Sequence, residues 1–151
     1  MEKRIIEPKY TSSIRLVKSE DLNHHGTLFA GRSAEWFVES GFIAAASLLN
    51  PKNIVCLKIH GMQFSNPVQA GEILKFSSKI VYTGRTSLIA YINVTKEGED
   101  KIFVEGFITF IHVNENTSPT IHNIEIQPKT EEDLKLFKQA SGLKKDIITS
   151  L

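Results

Sequence analysis

Two stretches of the chain carry side chains in patterns able to do chemistry. The first is DLNHHGTLFAGRSAEWFVESGFIAAA, residues 21–46. It opens with Asn23, His24 and His25, passes a small-residue turn at Ala30 and Gly31, and continues as an almost apolar helix. Between Trp36 and Leu49 the one charged residue is Glu39. A carboxylate left unpaired in apolar surroundings is costly, and its pKa is expected to rise, which suits a general base or a nucleophile. The competing reading is a solvent-facing stripe, because Arg32, Glu35 and Glu39 recur at helical spacing on one face. Asn23 offers both a donor and an acceptor. His24 and His25 can bind, move protons or simply furnish a loop. Ala30 and Gly31 would leave free N–H groups at the positive end of the helix dipole, where an oxyanion is stabilised.

The second stretch is YTGRTS, residues 82–87. Arg85 on a turn with Thr83, Thr86 and Ser87 can hold a phosphate, or it can be an ordinary exposed hairpin. The chain has no Walker loop, no GxGxxG, no GxSxG and no HExxH. His60, His112 and His122 are scattered, so no metal site is expected. Cys56 lies in NIVCLKI, an apolar strand-like run, and reads as a buried structural thiol. As the lone cysteine it excludes an internal disulfide and fits a reducing cytosol.

These residues must be positioned by a chain of 151 residues, 41% hydrophobic, with a formal net charge of +1 and both signs interspersed. That composition suits one domain, residues 1–151, with a core at about 10–114 and a C-terminal polar segment and helix at 115–151. No basic stripe points to nucleic acid. No run reaches the ~18 apolar residues of a membrane span. MEKRIIEPKY has no apolar signal core, so a cytoplasmic protein is expected.

Residues 12–19 read as a first strand, followed by a polar loop and a helix from about Ala30 to Leu49, stopped by Asn50–Pro51. Residues 53–65, 73–83, 86–96 and 102–113 read as strands. TGRT forms a hairpin-like break, and Gly106 marks a bulge or close-packing point. TEEDLKLFKQASG reads as a short amphipathic helix capped by Thr130 and stopped near Gly142. A helix apolar nearly all round must be buried on most sides. The expected fold is therefore α+β, a curved antiparallel sheet wrapped around one long central helix. Its open edges predict at least a dimer. Phe29, Trp36, Met62 and Phe64 read as core, with the wall of a tunnel for an apolar ligand as the alternative.

The first stretch resembles the opening motif of hotdog-fold acyl-CoA thioesterases of the YciA and brain acyl-CoA hydrolase type, D-x-N-x-x-G-x-x-F/H-G-G followed by an acidic helix. IHGMQFSNPVQAGEIL is similar to their G-x-x-F-x-x-P-V-x-x-G-D segment. YTGRTSL, FVEGFITFIHV and KTEEDLKLFKQA continue the likeness over about residues 10–140. The resemblance implies a hotdog fold and hydrolysis of an acyl-CoA to a free acid and coenzyme A. It implies no cofactor beyond the coenzyme A of the substrate. It also implies a site between two subunits of a homodimer, and dimers assembled as a trimer of dimers, a hexamer. By the same resemblance Asn23 orients substrate or water, and Gly31, with Ala30 beside it, polarises the thioester carbonyl. His24 and His25 line the mouth, and Arg85, Thr86 and Ser87 lie along the coenzyme. Many relatives carry their acid at the position of Val38, some with a second acid after it. This chain has only the latter, Glu39, with Glu35 one turn earlier. The rival readings are an acyl-CoA binder without turnover, motivated by Val38, and a hotdog enzyme of another class such as a dehydratase.

Overall fold

The structure, a computed structural model, describes residues 2–64 and 66–150, with side chains as far as Lys144. In chain order the elements are β1 (Arg4–Ile6), β2 (Thr11–Leu16), α1 (Ala30–Ala46), β3 (Ile54–Ile59), β4 (Ile73–Thr83), β5 (Ser87–Lys96), β6 (Ile102–His112), β7 (Ile124–Ile126) and α2 (Glu131–Ser150). β2, β4, β5, β6 and β3 form, in that order, an antiparallel five-stranded sheet. β1 and β7 pair in parallel beside it.

Side chains alternate across a strand, and here both faces of the long strands are used. On one face Leu74, Phe76 and Ile80 of β4 meet α1, with Trp36 edge-on to Phe76 at 6.1 Å between ring centres. Ser40 Oγ donates to Ser78 Oγ at 3.1 Å, and Ser78 Oγ donates to the Ser40 carbonyl at 2.6 Å. α1 therefore runs alongside β4, start to start. On the other face Val81, Ile89 and Tyr91 pack against Leu136 and Ala140 of α2. The sandwiching of β4 and β5 between two helices explains why their central residues are buried without alternation.

α2 is held down by a buried cation. Lys79 Nζ lies 2.7 Å from Asp133 Oδ1 and 2.5 Å from Glu132 Oε1, and 4.2 Å over the Tyr10 ring. The Tyr10 hydroxyl donates to the same Glu132 oxygen at 2.7 Å. Thr130 caps the helix, its Oγ1 accepting from the Asp133 N–H at 3.0 Å, as its sequence predicts. Gly106 lets the segment after β3 cross the sheet closely: a Cβ there would collide with the Gly61 carbonyl oxygen and stand 3.1 Å from Phe37 Cζ.

Several expectations are corrected. α2 passes through Gly142 to Ser150 instead of stopping there. A mid-helix glycine costs only about 1 kcal/mol against alanine, and here it does not end the helix. α1 ends at Ala46, where Ser47 Oγ donates to the Ala44 carbonyl at 2.6 Å. The strand expected over 53–65 stops at Ile59, two residues before Gly61 takes a positive φ of 120°. Cys56 is exposed, not buried, because β3 is an edge strand, its register against β6 shifts between Cys56 and Lys58, and the protomer leaves Val55, Cys56, Leu57 and Ile59 uncovered. Trp36 and Met62 do pack in the core, while Phe29 and Phe64 lie half open. β1 and β7, three residues each, were too short to leave a periodic signal.

Candidate active site

α1 starts without a side-chain cap. Phe29 is its N-cap residue, and the Phe29 carbonyl accepts from the N–H groups of Arg32 and Ser33 at 3.0 and 3.1 Å. That leaves the Ala30 and Gly31 N–H groups at the open, positive end of the helix. The Phe29 ring folds over this end, and a Cβ on Gly31 would stand 2.5 Å from Phe29 Cε2. Any larger residue at position 31 must displace the ring.

The loop ahead of the helix is a tight return. Leu22 and Leu28 form a bridge, the Phe29 N–H reaches the Asp21 carbonyl at 2.9 Å, and Gly26 takes a φ of 80° at the tip. Asn23 builds this turn. Its Oδ1 accepts from the His25 and Thr27 N–H groups at 2.9 and 3.2 Å, and its Nδ2 donates to Thr27 Oγ1 at 3.2 Å. The second Nδ2 hydrogen remains available to a bound group. The His24 and His25 rings lie against each other at 3.9 Å between centres.

Glu39 is not in the apolar enclosure its sequence surroundings predict. Half of its side chain is open in the protomer, and it pairs with Arg15 of β2. Glu35 pairs with Arg32 at 3.2 Å, and Arg32 Nε also reaches the buried Asp21 at 3.2 Å. The stripe of charges foreseen on this helix face is therefore real. Beside it lies an apolar hollow of about 570 Å³, lined by Gly31, Ala34, Val38, Phe42, Cys56 and Phe110, with Glu35 and Glu39 at its edge. Partial desolvation beside the hollow pushes the Cys56 thiol above its ordinary value, which disfavours a thiolate nucleophile there. Glu35, Glu39 and Gly31 thus border one hollow.

Arg85, Thr86 and Ser87 lie elsewhere. They sit at the turn joining β4 to β5, past the far end of α1, and β4 separates that turn from the helix start by roughly 33 Å at the usual strand rise. The turn is braced by the segment before β7. The His122 N–H reaches the Arg85 carbonyl at 3.2 Å, His122 Nε2 meets the Ser87 carbonyl at 2.9 Å, and Thr83 Oγ1 donates to the Ile124 carbonyl at 2.8 Å. His122 Nδ1 accepts from the Ile124 N–H at 2.9 Å, so the ring is neutral with its proton on Nε2. Burial holds the His122 pKa below its ordinary value, in keeping with that tautomer.

Sequence reasoning passed over Arg15, Asp21 and His122. Their partners lie 24, 11 and 35 positions away, beyond any local pattern. Only Asp21, at the head of the DLN motif, was within reach.

A curved sheet around a long helix, with a small-residue helix start and an acidic face beside an apolar hollow, defines a hotdog-type thioesterase frame. The thioesterase superfamily model matches residues 25–103, and the chain belongs to that superfamily. It is similar to the uncharacterized acyl-CoA thioester hydrolase YkhA of Bacillus subtilis, 24% identical over 89% of this chain and 82% of that protein. Among solved structures it resembles an apo-hexameric acyl-CoA thioesterase at 29% identity, TM-score 0.82, covering 91% of this chain and 89% of that one. It also shares its fold with a Staphylococcus aureus acyl-CoA hydrolase solved with butyryl coenzyme A, at 19% identity and TM-score 0.84 over 98% and 93% of the two chains. Among the described residues no helix is long and apolar enough to cross a membrane, and no group of three or more His, Cys, Asp or Glu is placed to hold a metal.

Proposed function

We propose that this protein hydrolyses an acyl-CoA thioester to a free carboxylic acid and coenzyme A. The observation that carries the reading is the meeting of three features at one place: the open N–H groups of Ala30 and Gly31, an apolar hollow able to take an acyl chain, and the carboxylates of Glu39 and Glu35 at its edge. The thioester carbonyl oxygen sits toward the Ala30 and Gly31 N–H groups, which stabilise negative charge as it develops. Glu39 takes a proton from a water that attacks the carbonyl carbon, or attacks that carbon itself to form a mixed anhydride that water then hydrolyses. In either route the C–S bond breaks and the coenzyme leaves as its thiolate. Arg15 fixes the Glu39 carboxylate. Asn23 directs its remaining Nδ2 hydrogen at the water or the substrate.

The site is completed by a second copy. Helix start and Arg85 turn lie at opposite ends of one protomer, and a twofold partner joined along β3 sets one protomer's turn end beside the other's helix start. The edge strand exposes Val55, Leu57 and Ile59, and α1 exposes Ile43, an apolar surface of the kind that a subunit contact covers. A homodimer is the minimal active unit, and the apo-hexameric relative supports a trimer of such dimers. His24 and His25 then stand at the mouth, and Arg85, Thr86 and Ser87 along the coenzyme.

The test is thiol release from a panel of acyl-CoAs by wild type, Glu39→Gln and Glu35→Gln. Turnover by wild type with a loss of about 100-fold or more in kcat for Glu39→Gln alone is expected, the size of an acid-base group removed. The same loss in Glu35→Gln alone would move the role one turn back. Absence of turnover on every acyl-CoA, with binding retained, would refute hydrolysis.

A further inference from the structure

His122 ties two parts of the chain together with three hydrogen bonds. Its backbone N–H donates to the Arg85 carbonyl at 3.2 Å, its Nε2 donates to the Ser87 carbonyl at 2.9 Å, and its Nδ1 accepts from the Ile124 N–H at 2.9 Å. Asn123, between the last two partners, takes a left-handed φ of 58°, which brings the Ile124 N–H round to the ring. His112 assists from the end of β6. Its N–H donates to the Thr86 carbonyl at 2.7 Å and its Nδ1 to the Thr120 carbonyl at 2.8 Å, and the two rings stand 6.2 Å apart. The two histidines answer a proton differently. His112 can take one on Nε2 and keep its bond to Thr120. His122 can take one only on Nδ1, where it sets two donors against each other in place of the bond from Ile124. The His122 ring is buried, yet it lines a hollow of about 610 Å³. Around that hollow stand Arg85 of the turn, Lys144 of α2, whose Nζ would lie 2.5 Å from a Cβ on Gly84, and Lys3 paired with Glu125 at 2.6 Å. Glu125 is the one carboxylate there and Lys3 occupies it, so the lining offers a protonated ring no free counter-ion.

We propose that His122 is a positioning residue for the coenzyme: its neutral ring ties the β4–β5 turn to the segment before β7, so that Arg85, Thr86 and Ser87 are held where the coenzyme passes, and protonation unties them. Binding of the acyl-CoA then weakens in mild acid while the chemistry at the helix start is unaltered. The inference rests on the acyl-CoA reading above and goes beyond it, to a residue outside the motifs that carry the family resemblance. His122 touches no reacting atom and acts through the turn alone.

The experiment follows KM and kcat for one acyl-CoA from about pH 7.5 to about pH 5, a range that spans histidine titration. It compares wild type, His122→Asn and His122→Leu. Asparagine can still accept from the Ile124 N–H through Oδ1, and it does not titrate. Wild-type KM is expected to rise about tenfold toward acid, the size of one hydrogen bond lost. The KM of His122→Asn is expected to change by less than about twofold over the same range. His122→Leu, unbraced at every pH, is expected to show the raised KM already at the upper end, with kcat there within about twofold of wild type. A wild-type KM that is flat or falls in acid, or an acid rise that persists in His122→Asn, would overturn the assignment, as would a His122→Leu that loses kcat and keeps KM. If His122→Leu does not fold, the pH profiles of wild type and His122→Asn decide. If wild type hydrolyses no acyl-CoA, the acyl-CoA reading fails separately, and calorimetry with coenzyme A at the two ends of the range decides this one. Affinity that falls about tenfold in acid for wild type but not for His122→Asn upholds the brace. Equal affinity at both ends, an equal fall in both proteins, or no binding by wild type, removes it.

Discussion

Arg15 of β2 and Glu39 of α1 form an ion pair that crosses from the sheet edge to the helix, with the Arg15 guanidinium carbon also 5.5 Å from the centre of the Trp36 ring. The carboxylate that stands out in the sequence is therefore anchored, at the border of the hollow, by a residue from the strand before it. Val38, one position earlier, lines the hollow itself. A single residue on a helix is a turn of about 100°, so the two side chains cannot face the same way.

Arg15→Met is expected to lower kcat about tenfold by freeing the Glu39 carboxylate, a smaller loss than Glu39→Gln but in the same direction. Its effect on stability is expected to be slight, because a half-exposed pair contributes about 0–1 kcal/mol. Steady-state kinetics beside a urea curve measure both. A large fall in stability with unchanged kcat would assign the pair to the fold instead.

Lys79 behaves in the opposite way. It is buried, and replacing it by methionine leaves the buried Asp133 without its cation, a loss of about 3–5 kcal/mol. Adding Asp133→Leu to Lys79→Met removes the stranded charge and is expected to recover most of that stability. Denaturant midpoints of the single and double variants show whether it does.

The same network predicts an acid limb. The Lys79 ammonium and the Tyr10 hydroxyl hold the Glu132 carboxyl below its ordinary value. Burial raises Asp133, and the bond and charge of Lys79 together with the hydrogen bonds from Thr130 more than offset it, leaving it lowered as well. A carboxyl depressed in the folded state contributes stability that is full above its unfolded pKa, about 4 for these groups, and is lost as pH falls through the folded value. Stability measured from pH 6 downward is expected to drop in that range, and less steeply in Glu132→Gln. Identical slopes would show that Glu132 does not drive the transition.

Leu57→Lys places a charge on the uncovered edge strand β3 without touching the core of the protomer. Dissociation to monomers is expected by sedimentation, with secondary structure kept and hydrolysis lost because Arg85 and the helix start no longer meet. An active monomer would refute the shared site.

The long strands and α1 were legible in the sequence because periodicity and β-branched runs are local, and Thr130 announced α2 by its position ahead of three acidic residues. Gly106 was legible as a close-packing point, though not what it packs against. Val38 and Glu39 were legible as a departure from the familiar pattern.

Only the tertiary structure could set Arg15 against Glu39, put Cys56 on an open edge, and carry Lys144 across to the Arg85 turn. Each of these depends on which strand lies at the edge and on what passes over it. That is decided by long-range pairing and by the contest of burial against charge, and no neighbouring residue records it. Composition and local pattern determined the elements and the helix start. Folding determined which charges are paired, and therefore which remain free to meet a substrate.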